Sequence, residues 1–188
     1  MFHPEQSGPA SPADPADRSL RRLSAWLEAG SLSLAVVLPL AVAWSWFTAD
    51  PATLVADAGL PPGALLAPWQ VLAGGLLSLL PVLLLAAGLL AARRCFRLFR
   101  QGAWFTGGAV AALRDFGSRV VLAGIAGLLL PTLLGLLLSI GNAPGQRALV
   151  IAIGSGPVLG ILLGGAVWAM ALVMLRAVAI AEDHAQIV

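Results

Sequence analysis

Four long stretches without a charged residue constrain this chain more than any other feature of its sequence. The uncharged stretches are 29–49, 58–92, 120–146 and 148–175. About 20 apolar residues are enough for a helix to cross the hydrocarbon core of a bilayer, and each stretch reaches that length. An amphipathic surface helix would carry polar residues along one face, and none of these stretches shows a charged face. The pattern therefore predicts four transmembrane helices.

Composition excludes a soluble domain. Apolar residues make up 59% of the chain, charged residues 11%, and the mean hydropathy is +0.92, whereas soluble domains carry about 25% charged residues. We predict an all-α integral membrane bundle of four transmembrane helices within a membrane domain at 20–188. The residues before it, 1–19, are rich in Pro, Ala and Asp and are expected to form a disordered cytoplasmic tail. The spans are expected at about 30–48, 69–92, 120–140 and 150–174.

The distribution of the arginines predicts how this domain is oriented across the membrane. Arg147 is the only arginine on one side of the predicted membrane. The other ten are on the opposite side, at 18, 21, 22, 93, 94, 97, 100, 114, 119 and 176. Because cytoplasmic loops carry an excess of arginine and lysine, we expect both termini and the inner loop, 93–119, in the cytoplasm.

The inner loop is the most structured polar region. Arg93, Arg97 and Arg100 recur at helical spacing, which predicts that the second helix extends beyond the membrane. Gly102 is expected to end that helix. Thr106 is a plausible N-cap for a short cytoplasmic helix that reaches residue 116.

Two interpretations of this loop stay open. Arginines near anionic lipid headgroups contribute roughly 1 kcal/mol each, so the loop can act as a lipid and topology anchor. It can also be a docking surface for a cytoplasmic partner. The candidate interaction surface consists of Arg93, Arg94, Arg97, Arg100, Phe105, Thr106, Arg114 and Glu182.

Small residues in the fourth span suggest a helix-packing face. Gly156, Gly160 and Gly164 follow one another at four-residue steps, which places them near one side of a helix and allows another backbone to approach. One interpretation is the seam of a homodimer, and the other is contact within the chain's own bundle.

The sequence shows no arrangement that predicts catalysis or metal binding. The two histidines, His3 and His184, lie near the chain ends, outside the spans. No cluster has metal-ligand spacing, and no nucleophile has a recognisable partner base. Ionisable residues, which mark proton and ion paths inside membranes, are missing from the span interiors. We therefore expect no cofactor, no metal and no enzymatic activity.

In the inner loop, a phenylalanine-rich basic helix end is followed by Gly-x-x-Phe-Thr, a Leu-Arg pair and a glycine, and the tail has a carboxylate and a short β-branched terminus. In these features the chain resembles a bacterial membrane family catalogued as domain of unknown function 2975. The loop residues that carry this resemblance are Phe96, Phe99, Gly102, Phe105, Thr106, Leu113, Arg114 and Gly117. In the tail they are Glu182, Ile187 and Val188. The resemblance implies four transmembrane helices in a bacterial inner membrane, no known enzyme activity, and frequent gene proximity to a helix-turn-helix regulator.

Two functions follow as hypotheses. In the first, the protein is non-enzymatic, and its inner loop and C-terminal helix contact a regulator or another membrane protein. In the second, it is a transporter or channel subunit for a small neutral solute.

Overall fold

The computed structural model describes residues 15–57, 66–102, 106–140 and 154–185. Of residues 15–21, 57 and 181–185 it describes the backbone alone. All the secondary structure in these ranges is helical. The five helices are α1 (Pro15–Thr48), α2 (Pro51–Asp57), α3 (Pro68–Arg100), α4 (Gly107–Ser139) and α5 (Ser155–Ala185).

Four of these helices match the four predicted spans in number, length and apolar composition. The segments long and apolar enough to cross a membrane are Arg22–Thr48, Pro68–Arg100, Gly107–Ser139 and Ser155–Ile180. Large apolar side chains point away from the protein, with Leu163 66% and Val173 69% exposed. Such surfaces are stable against lipid chains but not against water. The chain is a multi-pass membrane protein.

One predicted boundary changes. The tail was expected to be disordered through residue 19, but α1 begins at Pro15. Proline is favoured in the first turn of a helix, because its missing N–H would have no partner there. The rest of the predicted tail and the first residues of the predicted fourth span, 150–153, lie outside the described residues.

The prediction of a separate short helix after Thr106 is wrong. Thr106 does cap a helix, since its Oγ1 accepts a hydrogen bond from the N–H of Ala109 at 3.4 Å. That helix, however, is α4, which continues without a break to Ser139. Gly117, the glycine at the expected break, is instead buried against α5. The segment from Gly107 to residue 116 therefore forms the first turns of the third span.

The four long helices form an antiparallel row rather than a bundle around one core. α1 packs on α3, α3 on α4, and α4 on α5. No other pair of the described helices brings Cα atoms within 8 Å. Lipid is as apolar as leucine, so a membrane helix gains little from burying leucine and needs only one close seam.

Glycines form the seam between α4 and α5. A Cβ on Gly117 would lie 2.7 Å from the backbone nitrogen of Trp168 and 2.9 Å from the carbonyl oxygen of Gly164. One on Gly124 would lie 2.9 Å from the carbonyl oxygen of Pro157. These distances are shorter than van der Waals contact, so the two backbones approach this closely only because the side chains are missing.

Within the chain's own bundle, only one glycine of the predicted packing face on α5 contacts another helix, and the homodimer interpretation stays a prediction. Gly164 packs within the chain, against Gly117 and Val120 of α4, whereas Gly156 and Gly160 have nothing within 4 Å. Four-residue steps drift around a helix with 3.6 residues per turn. The residues of α5 that contact or are buried toward α4 alternate steps of four and three instead, at 157, 161, 164, 168 and 171.

Two polar contacts join neighbouring helices near the C-terminus of α1. The indole Nε1 of Trp46 donates to the carbonyl oxygen of Val71 at 2.8 Å, and its ring covers Gly74 and Gly75. The amide Nε2 of Gln70 donates to the carbonyl oxygen of Leu138 at 3.1 Å. These bonds fasten α1 to α3 and α3 to α4.

The glycine seam makes a testable distinction. Gly117→Ala should lower the free energy of unfolding by about 1–3 kcal/mol, because the new Cβ meets backbone atoms that have little room to move. Gly160→Ala, also on α5 but facing open space, should leave it unchanged or raise it by up to about 1 kcal/mol, because alanine favours a helix over glycine. Equilibrium unfolding of both variants in detergent micelles measures the difference. Equal stability would contradict the described seam.

Candidate functional site at the arginine end

The antiparallel row brings most of the described arginines to one end. This arginine end comprises the first turns of α1, the last turns of α3, the first turns of α4 and the last turns of α5. At this end, the structure describes the side chains of eight arginines: Arg22, Arg93, Arg94, Arg97, Arg100, Arg114, Arg119 and Arg176. Three of them converge on one acidic residue of α1.

Glu28 is the centre of an ion-pair cluster. Its Oε1 lies 3.4 Å from Nε of Arg97 and 3.7 Å from Nε of Arg93. Its Oε2 lies 3.4 Å from a terminal nitrogen of Arg100. The three arginines occupy successive turns of α3, so one carboxylate meets all three. We call Glu28, Arg93, Arg97 and Arg100 the Glu28 cluster.

The local sequence of α1 places Glu28 against α3. Ser24, Glu28, Ser31 and Ala35 are all buried and follow at steps of four, three and four. This spacing puts them on one helix face, and α3 is the only long helix that packs on α1. The hydroxyl of Ser31 donates to the carbonyl oxygen of Glu28 at 3.0 Å, so it needs no partner on another helix.

The cluster is unevenly paired. Three guanidinium groups face one carboxylate, which leaves an excess of two positive charges. Glu28 has only 12% of its side chain exposed, whereas Arg97 and Arg100 are about half exposed. One hydrogen bond is formed, from Nε of Arg97 to Oε1. The Oε2 of Glu28 and the Nε of Arg93 are buried without a hydrogen bond.

The other predicted arginines do not join the cluster. Arg94 is exposed and forms no ion pair with any residue that the structure describes. Arg114, also exposed, pairs with its neighbour Asp115 at 3.3 Å. The predicted surface is thus divided into three arginines that hold α1 and two that face outward.

Three further predicted residues lie at or near the connection and the C-terminus. Thr106 caps α4 as described above, while Phe105 lies outside the described residues. Glu182 is in the last turns of α5, and its side chain also lies outside the described part. Gly102 ends α3 as expected: its φ is +82°, a backbone conformation that glycine adopts without strain.

An apolar cavity of about 320 Å³ lies toward the other end of the helices, away from the arginine end. Its lining residues come from α1, α4 and the short helix α2, with one residue beyond α1: Ser45, Trp46, Ala49, Leu54, Leu130, Pro131, Leu134 and Leu138. The hydroxyl of Ser45 already donates to the carbonyl oxygen of Val42 at 3.0 Å. The cavity therefore presents mainly apolar surface.

Within the described ranges, no group of three His, Cys, Asp or Glu side chains is arranged to hold a metal ion. Comparison with protein-family models, curated proteins and solved structures finds no match to this chain. The resemblance to the family of domain of unknown function 2975 therefore stays a prediction.

Sequence reasoning missed Glu28, which it used only as the boundary of the first uncharged stretch. A signal was present: Glu28 is a lone carboxylate at the same end of its span as the arginines of the next one. An acidic residue there is costly to bury without a partner. The helix pairing that decides which arginines reach it is not visible in the sequence.

Removing the charge of Glu28 should weaken the hold of α1 on α3. Glu28→Gln leaves three arginines facing one another, and we expect the free energy of unfolding to fall by about 1–2 kcal/mol. That value lies between the cost for an exposed pair and that for a fully buried one. Asp115→Asn, which breaks an exposed pair between neighbours, should cost less than about 1 kcal/mol. Detergent unfolding compares the two variants, and an unchanged Glu28→Gln protein would refute the holding role.

Proposed function

We propose that this chain is a non-enzymatic membrane protein that binds a regulator or another membrane protein at its arginine end. In this proposal the membrane is a bacterial inner membrane, and both termini and the arginine end are in the cytoplasm. The positive-inside rule supports this orientation, since ten arginines are on one side of the spans and Arg147 on the other. The bacterial setting and the regulator rest on the family resemblance.

The observation that carries the proposal is the division of the arginines into holding and outward-facing groups. Arg93, Arg97 and Arg100 are drawn toward Glu28, so they set the positions of the last turns of α3. Arg94 lies on those same turns, exposed and without an ion-pair partner among the described residues. A cation presented from a rigid helix, rather than from a loose loop, can contact an acidic partner with little loss of conformational entropy.

The helix row favours this function over transport by a single chain. Each long helix packs only on its neighbour in the row, so the described helices enclose no path from one end to the other. The 320 Å³ cavity is lined by residues in the half of the helices away from the arginine end. A transport path would have to lie between copies of the chain.

A capture experiment tests the docking surface. The full chain is expressed in its bacterial host, crosslinked in intact membranes and purified, and the partner is identified by mass spectrometry. Arg94→Ala should reduce recovery of a specific protein partner about fivefold to tenfold, because a charge pair at the rim of an interface is removed. Arg114→Ala should have a smaller effect, since Asp115 already compensates its charge.

The matched control is Arg22→Ala, which removes an exposed arginine from the same end of the molecule but from α1. It should leave recovery unchanged, and all three variants should unfold like the wild-type protein because none belongs to the Glu28 cluster. Recovery of lipids and chaperones alone, or equal loss in the control, would rule out this docking surface.

A further inference from the structure

The length of α3 places the Glu28 cluster at the level of lipid headgroups. Trp69, half exposed at the first turn of α3, is suited to the membrane interface at the opposite end of the helix. At 1.5 Å per residue, Arg93 lies about 36 Å and Arg97 about 42 Å from it along the axis. The hydrocarbon core is about 30 Å thick, and the bilayer with its headgroups about 40–45 Å. Arg93 therefore falls in the headgroup layer, and Arg97 and Arg100, the latter about 47 Å along the axis, reach its outer edge.

The arginines of the cluster keep donors free for an anion. A guanidinium group has five N–H donors, and the only hydrogen bond from these three arginines to Glu28 is that of Arg97. Arg97 and Arg100, about half exposed, keep further N–H groups that can reach solvent or lipid. The Glu28 carboxylate neutralises one of three charges, and only 12% of the Glu28 side chain is exposed, so an incoming anion meets arginine before it meets glutamate.

We infer that the Glu28 cluster binds the phosphate groups of a doubly charged phospholipid, of the cardiolipin class, in the leaflet at the arginine end. The excess of two positive charges matches a headgroup with two phosphodiesters, and guanidinium groups bind phosphate through paired hydrogen bonds. Basic sites beside membrane helices are a known setting for such headgroups. The inference is independent of the proposed protein partner.

The position of the site distinguishes a lipid from free phosphate. The cluster lies beside apolar side chains of the same helices, with Leu90 43% and Leu27 42% exposed within one or two turns of it. Acyl chains attached to the headgroup would lie along these leucines. Free phosphate would gain the arginine contacts but none of the apolar ones.

The test uses the full-length protein, purified in a neutral detergent and transferred to nanodiscs of phosphatidylcholine. Cardiolipin or phosphatidylglycerol is added at equal total negative charge, and bound lipid is measured by native mass spectrometry. We expect the wild-type protein to retain cardiolipin about tenfold more strongly than phosphatidylglycerol, because two linked phosphates engage the cluster together. Inorganic phosphate at the same charge should not displace it.

Two variants with equal change of charge separate the site from general attraction. Arg97→Gln/Arg100→Gln should lose the preference for cardiolipin, with about a tenfold weaker retention. Arg22→Gln/Arg176→Gln removes two exposed arginines at the same end but outside the cluster, and retention should stay within about twofold. Equal loss in both, or displacement by inorganic phosphate, would overturn the inference.

A third variant separates binding from stability and does not depend on removing an arginine. Glu28→Gln raises the excess charge of the cluster from two to three, so cardiolipin retention should rise by about threefold or more although the protein is less stable. If the cluster were only a structural ion pair, retention would fall together with stability, and that result would also overturn the inference.

Discussion

Close approach of backbones at small residues is the constraint on which the arrangement of the helices depends. In lipid, leucine gains nothing from facing protein instead of acyl chains, so packing at short distance decides which helices meet. Gly117 and Gly124 of α4 supply that distance toward α5, and Gly74 and Gly75 of α3 accept the ring of Trp46. The large apolar residues face outward because nothing in the membrane drives them inward. The result is a row in which every seam joins two neighbours.

Polar contacts complete the row at both ends of the helices, where water and headgroups replace hydrocarbon. Gln70 and Trp46 each give a side-chain N–H to a carbonyl oxygen of the adjacent helix at one end. At the other, Glu28 binds the last turns of α3 through charge. The same arginines that hold α1 remain partly exposed, as the proposed lipid site requires, while Arg94 on the same turns of α3 faces outward, as the proposed partner surface requires.

The number of spans, their approximate limits and the end of α3 at Gly102 could be predicted from sequence, because hydropathy and backbone conformation are local properties. The cap at Thr106 was predicted, but not that α4 continues past Gly117, since that continuity depends on α5 packing against it. Gly156 and Gly160 share a spacing with Gly164 but not its environment. Glu28 could not be assigned a role, because spacing within α3 does not say which helix lies opposite. Arrangement between helices is set by contacts distant in sequence.

The spacing of the arginines along α3 affects how α1 is positioned along its axis. Arg93, Arg97 and Arg100 stand about one turn apart and all lie near the carboxylate of Glu28, so sliding α1 by one turn, about 5.4 Å, would move the carboxylate away from one end of this set while keeping it beside the other. Attraction of this kind holds the helices together and changes only gradually with their axial register. Trp46 fixes the register more sharply, because its indole ring lies against two consecutive glycines and its Nε1 donates to the carbonyl oxygen of Val71. The charged contacts therefore hold α1 against α3, whereas Trp46 fixes the axial register of the two helices.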